Sequence, residues 1–308
     1  MNPFDTMQIF VRVAELASFT QAARHLGVPK ASTTTAVQRL ESLVGTRLLH
    51  RTTRRVQLTQ DGQAFYERCK DLLSDLDELQ TMFSAADKGL RGRLRVDMPL
   101  GAARNAIVPR LPEFLRQHPA LEIELSSTDR RVDVVREGFD CVLRVGPLAE
   151  SSLVARPLGA YRLVNCASPA YLEAFGTPRS LADLSSHKLV HYVPTLGSKS
   201  PGFEHVDDAG KVRFAPMAGS VTVNNSDAYV SACLAGLGLI QVPEPGMRAL
   251  LDGGHLVEVL SRHRPAPMPV TLLYANRRHV PKRALVFMNW VDAVMRPHLE
   301  TAPGKAPA

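Results

Sequence analysis

Hydrophobic and polar positions in the first 58 residues follow a helical period three times in succession. One apolar stripe predicts a helix over residues 4–16. A second, short helix is expected from Thr20, which can serve as its N-cap, to Gly27. Pro29 marks the start of a third helix, whose inward-facing stripe is Thr33, Val37, Leu40 and Val44. Two short helices joined by a glycine-containing turn are typical of a helix-turn-helix.

The outward face of the third helix and the segment after it carry polar and basic side chains. The outward-facing residues are Lys30, Thr34, Thr35 and Gln38. Hydroxyl and amide groups on such a face can bond phosphate oxygens or base edges in a major groove. Residues 50–58 then predict a hairpin wing with three arginines, which can reach a DNA backbone or a narrow minor groove.

The chain changes character at Thr59, which can serve as the N-cap of a long acidic helix. Its apolar residues are spaced alternately by four and three, as in a heptad seam. They are Phe65, Cys69, Leu72, Leu76, Leu79 and Phe83. Such a seam predicts a helix that pairs two copies of the chain, and the alternative is a surface helix packed on its own domain. Pairing would also set two recognition helices at half-sites one or more helical turns apart.

From residue 90 the sequence alternates between strand and helix patterns. Residues 94–145 give strand, helix, strand, helix, strand, with the second helix over residues 131–137. This order predicts a mostly parallel sheet with helices on its faces. Residues 162–265 repeat the alternation, and a strand over 269–274 and a helix over 282–295 complete the domain.

Polar or glycine-containing segments stand where strands end and helices begin in this region. Their residues are Leu100, Gly101 and Ala102; Ser126 and Thr128; and Asn224, Asn225 and Ser226. Ligands of open α/β sheets bind beyond the carboxyl ends of strands, where helix N-termini offer free N–H groups. We therefore predict a small-molecule site, which a small anion such as a carboxylate suits. The alternative is that Thr128 and Ser226 only cap helices.

Positive charge is concentrated at the start of the chain. Residues 1–58 carry eight Lys or Arg and three acidic residues, whereas residues 59–89 carry three bases and seven acids, within a net charge of +7. A compact basic unit suits a polyanionic partner such as double-stranded DNA. With 308 residues, 45% of them hydrophobic, the chain is expected to form two or more globular domains.

Other function classes lack their sequence signals. No leader or bilayer-spanning stretch is visible, so we expect a cytoplasmic protein without a membrane partner. The four cysteines are far apart, which predicts buried free thiols. GxSxG, Walker and HExxH motifs are absent, so no catalytic residue, metal or cofactor is expected. The alternatives are an enzyme, a ligand-free architectural DNA binder, and a redox sensor that uses Cys166 and Cys233.

Residues 7–62 resemble the LysR-type transcriptional regulators. The stretch contains ASFTQAA, LGV, RLE, LVGTRLLHRTTR and LTQDG in that order. The resemblance implies an α/β fold overall. Its parts are an all-α winged helix-turn-helix (residues 1–58), a linker helix used for dimerisation (59–89) and a two-lobed effector domain similar to periplasmic binding proteins (90–308). Lobe I then spans about 90–160 and 268–300, and lobe II spans about 161–267.

The resemblance also implies roles for individual residues. DNA contacts are expected from Lys30, Thr34, Thr35 and Gln38 on the third helix and from Arg51, Arg54 and Arg55 on the wing. Arg144 and Gly146 join the expected effector site. Family members often have Ser or Thr where Leu100 and Gly101 stand, so this pocket is expected to be more apolar or to rely on backbone N–H groups. The expected partners of this activator or repressor are double-stranded DNA, a small-molecule effector, further copies of the chain, and RNA polymerase.

Overall fold

The computed structural model describes residues 2–51, 56–81, 89–130, 132–135, 137–148, 151–275 and 280–300. The chain forms two compact units. Unit 1 comprises Met1–Arg93 and His118–Glu122, and unit 2 comprises Leu94–Gln117 and Ile123–Ala308. Among the described residues, no helix has both the length and the apolar character that crossing a bilayer requires.

Unit 1 contains the helices and the hairpin that the sequence predicts. The helices are α1 (Pro3–Leu16), α2 (Phe19–Leu26), α3 (Lys30–Val44) and α4 (Gln60–Thr81), and the strands are β1 (Leu49–Arg51) and β2 (Val56–Leu58). β1 and β2 pair antiparallel, with Leu49 opposite Leu58. The arrangement is a winged helix-turn-helix followed by a long helix.

The prediction of Thr20 as the N-cap of α2 is wrong. Ser18 has extended backbone angles and its Oγ accepts a hydrogen bond from Gln21 N at 3.3 Å, whereas Thr20 lies inside the helix. Serine and threonine are both good caps, and only the backbone conformation distinguishes two candidates this close in sequence. Gly27 ends α2 with a φ of +66°, a left-handed angle that glycine adopts without steric cost.

The core of unit 1 is formed by the inward faces of its first three helices. Phe10, Val37 and Leu40 are buried in it. Thr33 is also buried, and its hydroxyl donates to the Lys30 carbonyl at 2.7 Å, so the hydroxyl is not left unpaired in an apolar setting. Val44, which the sequence placed on the same stripe, is exposed because α3 ends there.

The RLE segment (residues 39–41) and the LTQDG segment (residues 58–62) attach the hairpin to the helices. Glu41 Oε1 accepts hydrogen bonds from the amides of Leu48 and Leu49, at 3.0 and 3.1 Å. Thr59 Oγ1 accepts from Gly62 N at 2.8 Å, as expected for the cap of α4. A Cβ on Gly62 would overlap the carbonyl oxygen of Leu48, so only glycine fits there. These contacts give a physical reason for the RLE and LTQDG segments.

From residue 91 onward the chain alternates strands with helices. The strands are β3 (Arg91–Met98), β4 (Ala120–Ser127), β5 (Cys141–Val145), β6 (Val154–Tyr161), β7 (Leu163–Ala167), β8 (His191–Tyr192), β9 (Phe203–Val206), β10 (Val212–Ala215), β11 (Thr222–Val223), β12 (Ile240–Pro243), β13 (Val257–Glu258) and β14 (Met268–Tyr274). The helices are α5 (Leu100–Ala102), α6 (Val108–Gln117), α7 (Pro169–Phe175), α8 (Ser226–Leu234), α9 (Arg248–Asp252) and α10 (Lys282–Met295). A π-helical turn over Ala103–Ile107 joins α5 to α6.

Lobe I of unit 2 is built on a five-stranded sheet in the order β4-β3-β5-β14-β6. β3 and β5 are parallel, whereas β14 is antiparallel to both β5 and β6. β14, the last strand among the described residues, therefore lies inside the sheet of lobe I, between β5 and β6. α10 packs beside α6 through Phe114, Phe287 and Trp290, whose ring centroids are 4.9 to 5.5 Å apart.

The prediction of a helix over residues 131–137 is wrong for the part that the structure describes. Residues 132–135 and 137–138 form turns and irregular backbone. Asp133 accepts a hydrogen bond on its side chain from Val135 N at 3.1 Å, and such an Asx-turn competes with helix formation.

Lobe II, which contains β7 to β13 and α7 to α9, departs from the predicted parallel arrangement. β7 lies between β12 and β13 and is antiparallel to both, whereas β8 and β11 pair in parallel. β9 and β10 form an antiparallel hairpin that the sequence analysis missed. An apolar run indicates a strand but does not state the direction of its neighbours.

Candidate DNA-binding face and effector cavity

The exposed face of α3 carries the residues that were predicted to contact DNA. Lys30, Thr35 and Gln38 are exposed and Thr34 is half-buried. The opposite face is buried in the core, and its residues are Thr33, Ala36, Val37 and Leu40. The structure therefore brings the four predicted side chains to one face of one helix.

The threonine hydroxyls on this face donate their hydrogens within the helix. Thr34 Oγ1 donates to the Lys30 carbonyl at 3.3 Å, and Thr35 Oγ1 donates to the Ala31 carbonyl at 3.0 Å. Their oxygens can still accept hydrogen bonds, for example from the amino group of adenine or cytosine in a major groove. In this set, Gln38 and Lys30 are the side chains that can donate to guanine or to phosphate.

Two further residues on the same face were not predicted. Arg39 and Ser42 are exposed, and they follow Thr35 and Gln38 by four residues each. Residues four apart in an α-helix share a face, so the helical period could have identified them. Arg39 adds a positive charge that suits a phosphate group.

The predicted wing is present as the hairpin of β1 and β2. Arg51 ends β1 opposite Val56. The Arg51 side chain, Arg54 and Arg55 lie outside the described residues. Their contact with DNA therefore stays a prediction.

The first two residues of the predicted dimerisation seam on α4 face the core of their own unit. Cys69 is 1% exposed, and the ring of Phe65 packs on that of Phe10 with the centroids 5.7 Å apart. Cys69 is therefore closed to a partner chain and its assignment to a dimer seam is wrong, whereas the assignment of the half-buried Phe65 stays a prediction. Heptad spacing records an apolar stripe but not the molecule against which the stripe packs.

The later residues of the seam keep their candidate role. Leu72 is 48% exposed and Leu76 is half-buried on α4. The Leu79 side chain and Phe83 lie outside the described residues. Pairing of two chains along this helix stays a prediction that rests on Leu72 and Leu76.

A cavity of about 570 Å³ lies between the two lobes of unit 2. Six of the ten predicted effector residues line it, and they are Gly101, Ala102, Thr128, Arg144, Gly146 and Ser226. Its described lining does not include the other four, which are Leu100, Ser126, Asn224 and Asn225. Asn225 instead caps α8, with its Oδ1 accepting from Ala228 N at 2.8 Å.

Arg144 pairs with a buried carboxylate that the sequence analysis missed. Arg144 Nη1 lies 2.8 Å from Asp97 Oδ2, and Asp97 is 0% exposed. The hydroxyls of Ser126 and Thr128 donate to Asp97 Oδ1 at 2.7 and 3.3 Å. These two hydroxyls, which were expected to bind an effector, therefore hold Asp97 instead. Arg144 Nη2 is buried and has no hydrogen-bond partner among the described residues, so it is an available donor.

Asp129 occupies the helix N-termini that were expected to offer free N–H groups. Its Oδ1 accepts from Leu100 N at 3.1 Å, and its Oδ2 accepts from Ser226 N at 2.6 Å. The expectation that these amides are free for an effector carboxylate is wrong. No sequence signal marked Asp129, because one aspartate after a strand is an ordinary loop residue.

The remaining wall of the cavity is mostly apolar. Its apolar residues include Val132, Val134, Val142, Val145, Leu148, Leu153, Val230, Val242, Met247, Met268 and Leu273. Tyr192 and Tyr229 add two rings with centroids 5.4 Å apart. Burial raises the pKa of Tyr192 to about 12 and also raises the pKa of Tyr229, so both hydroxyls are neutral at physiological pH. The cavity therefore suits a ligand with an apolar body and few polar contacts.

The cysteines are buried free thiols, as the sequence predicts. Burial raises the pKa of Cys166 and the pKa of Cys233 to about 12. Because the thiolate is the reactive form, such thiols are poor nucleophiles, which argues against the redox alternative. In the described part of the chain, no group of three His, Cys, Asp or Glu residues is arranged to hold a metal ion.

A winged helix-turn-helix combined with a two-lobed ligand-binding domain defines a DNA-binding transcription regulator. A family described as "LysR substrate binding domain" matches residues 87–296, and one described as "Bacterial regulatory helix-turn-helix protein, lysR family" matches residues 4–63. The chain belongs to the LysR family of transcriptional regulators, which are not enzymes.

Similar proteins along nearly the whole chain are regulators as well. YhjC of Escherichia coli K12, described as an uncharacterized HTH-type transcriptional regulator, is 47% identical over 300 residues, 97% of this chain and 100% of YhjC. A transcriptional repressor of Pseudomonas aeruginosa UCBPP-PA14 is 35% identical over 306 residues, 98% of this chain and 96% of the repressor. The structure of CrgA, a LysR-type regulator from Neisseria meningitidis, gives a TM-score of 0.59 at 26% identity and covers 94% of this chain and 97% of CrgA.

Proposed function

We propose that this chain binds operator DNA through the exposed face of α3 and that a small molecule in the interlobe cavity modulates this binding. Lys30, Thr34, Thr35 and Gln38 are the proposed DNA contacts on α3. Two copies pair through Leu72 and Leu76 on α4, which gives the two-fold symmetry that paired half-sites require. At a promoter, RNA polymerase is then the further partner on which the regulator acts.

The observation that carries the effector proposal is the cavity. Its volume of about 570 Å³ lies within the usual range of small-molecule sites, and a few polar groups interrupt an apolar wall. The predicted anionic character of the effector has lost its support at Leu100 and Ser226, whose amides Asp129 occupies. We therefore assign an effector with an apolar body and an acceptor oxygen for Arg144 Nη2.

The cavity can be tested by filling it. Gly101 lines the cavity, and a Cβ there has no heavy atom within 4 Å, so Gly101→Phe adds a ring where there is space. Small molecules are screened by thermal unfolding of the full-length chain, and each hit is then added to footprints on DNA upstream of the chain's own gene. We expect hits to stabilise the wild type and change its footprint.

The same hits should leave Gly101→Phe unaffected while this variant still binds DNA. Leu196→Phe, which adds a ring at an exposed position outside the cavity lining, is the matched control and should respond like the wild type. Hits that act equally on Gly101→Phe and on the wild type would contradict the proposal, because they would bind elsewhere.

A further inference from the structure

One carboxylate joins the two lobes beside the cavity. Asp129 follows β4 in lobe I, and it accepts hydrogen bonds from Leu100 N at the start of α5 and from Ser226 N at the start of α8. Leu100 belongs to lobe I and Ser226 belongs to lobe II. Asp129 also lines the cavity. The amides at a helix N-terminus and the positive end of its dipole stabilise a negative charge, so the chain itself places an anion at this point.

The arginines around the cavity offer little charge for a second anion. Of the described lining residues, Arg104 pairs with Asp227 at 2.5 Å, Arg130 with Glu137 at 2.8 Å and Arg144 with Asp97 at 2.8 Å. Each of these arginines thus has a carboxylate partner from the chain. An anionic ligand group placed near Asp129 would meet a like charge while the three lining arginines are already paired, and such a juxtaposition discriminates against the ligand.

Two buried polar atoms at the same cavity remain without partners. Ser226 Oγ and Arg144 Nη2 are buried and have no hydrogen-bond partner among the described residues. Both residues line the cavity. A hydroxyl and a guanidinium can each donate to a neutral acceptor oxygen, such as that of an amide, ester, alcohol or ketone. The apolar wall formed by residues such as Val142 and Met247 suits the remainder of such a ligand.

We propose that Asp129 is a specificity-determining residue that takes the place of an effector carboxylate and so selects an effector that is uncharged at this end. The contact of Asp129 with both lobes also holds them together before any ligand binds. This inference rests on the proposed function, because it assumes that the cavity is the effector site. The role of Asp129 as an internal anion can nevertheless be tested without an effector.

Asp129→Ala leaves a space that matches a formate ion. The substitution removes the carboxylate group and leaves the amides of Leu100 and Ser226 without their acceptor. Thermal unfolding of the full-length variant is measured in sodium formate and in sodium chloride at the same ionic strength. Formate should stabilise the variant in a saturable way, and at ten times its dissociation constant the folding equilibrium constant should rise about elevenfold. The wild type should not respond, because Asp129 already fills the place.

Asp183→Ala is the matched control. Asp183 also accepts hydrogen bonds from two backbone amides, those of Arg179 and Ser180 at 2.8 and 2.9 Å, but it does not line the cavity. Formate should not stabilise this variant, because water reaches the exposed amides that it leaves. Formate that stabilises the wild type as much as Asp129→Ala, or that leaves a folded Asp129→Ala variant unchanged, would overturn the proposal.

A second measurement covers the case in which Asp129→Ala does not fold. The wild type and Asp129→Asn, which keeps the side-chain shape, are screened against matched pairs of aromatic carboxylic acids and their primary amides. The wild type should bind the amides more tightly, and Asp129→Asn should reduce this preference at least tenfold. Tighter binding of the carboxylates by the wild type would refute the role of Asp129. If no compound of either kind binds, the effector function of the cavity fails and the role of Asp129 in effector choice fails with it, whereas equal binding of both kinds refutes the role of Asp129 alone.

Discussion

Arg144→Met tests whether the buried ion pair holds lobe I together. The substitution removes the guanidinium beside Asp97 and leaves an apolar side chain of comparable reach. The Asp97 side chain is 0% exposed and the Arg144 side chain is 13% exposed, so water cannot easily replace the lost partner. Among the described side chains, the carboxylate would keep only the hydroxyl donors of Ser126 and Thr128.

The expected loss of stability is large. Removing one partner of a buried ion pair costs about 3–5 kcal/mol, because the remaining charge is buried without compensation. With a urea dependence of about 2 kcal/mol per molar, the unfolding midpoint should fall by about 1.5–2.5 M. Asp97→Asn combined with Arg144→Met removes both charges, so the double variant should regain most of the stability that Arg144→Met alone loses.

Trp290 makes the measurement specific to lobe I. It is the only tryptophan of the chain and packs against Phe114 and Phe287 in that lobe, so its fluorescence follows the unfolding of lobe I in the full-length protein. Arg110→Met is the control, since Arg110 pairs with Glu113 on the solvent-exposed side of α6 and should leave the midpoint unchanged. The reasoning is refuted if Arg144→Met moves the midpoint no more than Arg110→Met, or if the double variant is as unstable as Arg144→Met.

Four further outcomes are expected. Gly62→Ala should destabilise unit 1 by at least about 2 kcal/mol in urea unfolding followed by helical circular dichroism, because the added Cβ overlaps the Leu48 carbonyl; an unchanged transition would contradict this contact. Burial lowers the pKa of His187, so below about pH 6.5 the unfolded state binds more protons than the folded state. The free energy of unfolding should therefore fall from about pH 6.5 to about pH 5, and His187→Gln should lose this trend. Equal trends in the wild type and the variant would exclude His187 as the cause. The four buried thiols should react with iodoacetamide at pH 8 at least a hundredfold more slowly in the native protein than in urea, and fast native labelling would restore the redox alternative. Leu72→Glu should convert dimers to folded monomers in sedimentation velocity while Ala64→Glu, at an exposed position on the same helix, does not; dimers in both variants would remove α4 from the interface.

The local elements of the fold are largely readable from the sequence. Helical stripes identified the three helices of the winged helix-turn-helix, although the N-cap of α2 is Ser18 and not the expected Thr20. Thr59 was correctly expected to cap α4. Strand pairing in lobe II was less accessible, because the antiparallel neighbours of β7 come from segments far along the chain. Pattern rules report local period, and they do not report which distant strands meet.

The contacts around the effector cavity were likewise only partly predictable from the sequence. Spacing identified the strand ends and helix starts around the cavity, and Arg144 and Gly146 came from the family resemblance. Sequence spacing could not show that Asp97 pairs with Arg144 or that Asp129 accepts hydrogen bonds from the amides of two helices. Each of these contacts joins segments that only the folded lobes bring together. The prediction that Cys69 lies in a dimer seam was wrong for a related reason: an apolar stripe does not identify the surface against which it packs.

Binding of the full-length chain to DNA across a salt series tests the central claim most directly. The wild type, Lys30→Ala and Gln38→Ala are titrated with a duplex from upstream of the chain's own gene and with a scrambled duplex of the same composition. The wild type should prefer the upstream duplex, Lys30→Ala should keep that preference but reduce the salt slope by about one, and Gln38→Ala should keep the slope but lose about 1–3 kcal/mol of discrimination. Equal affinity for the two duplexes, unchanged by either substitution, would contradict the assignment of α3 as the helix that reads DNA.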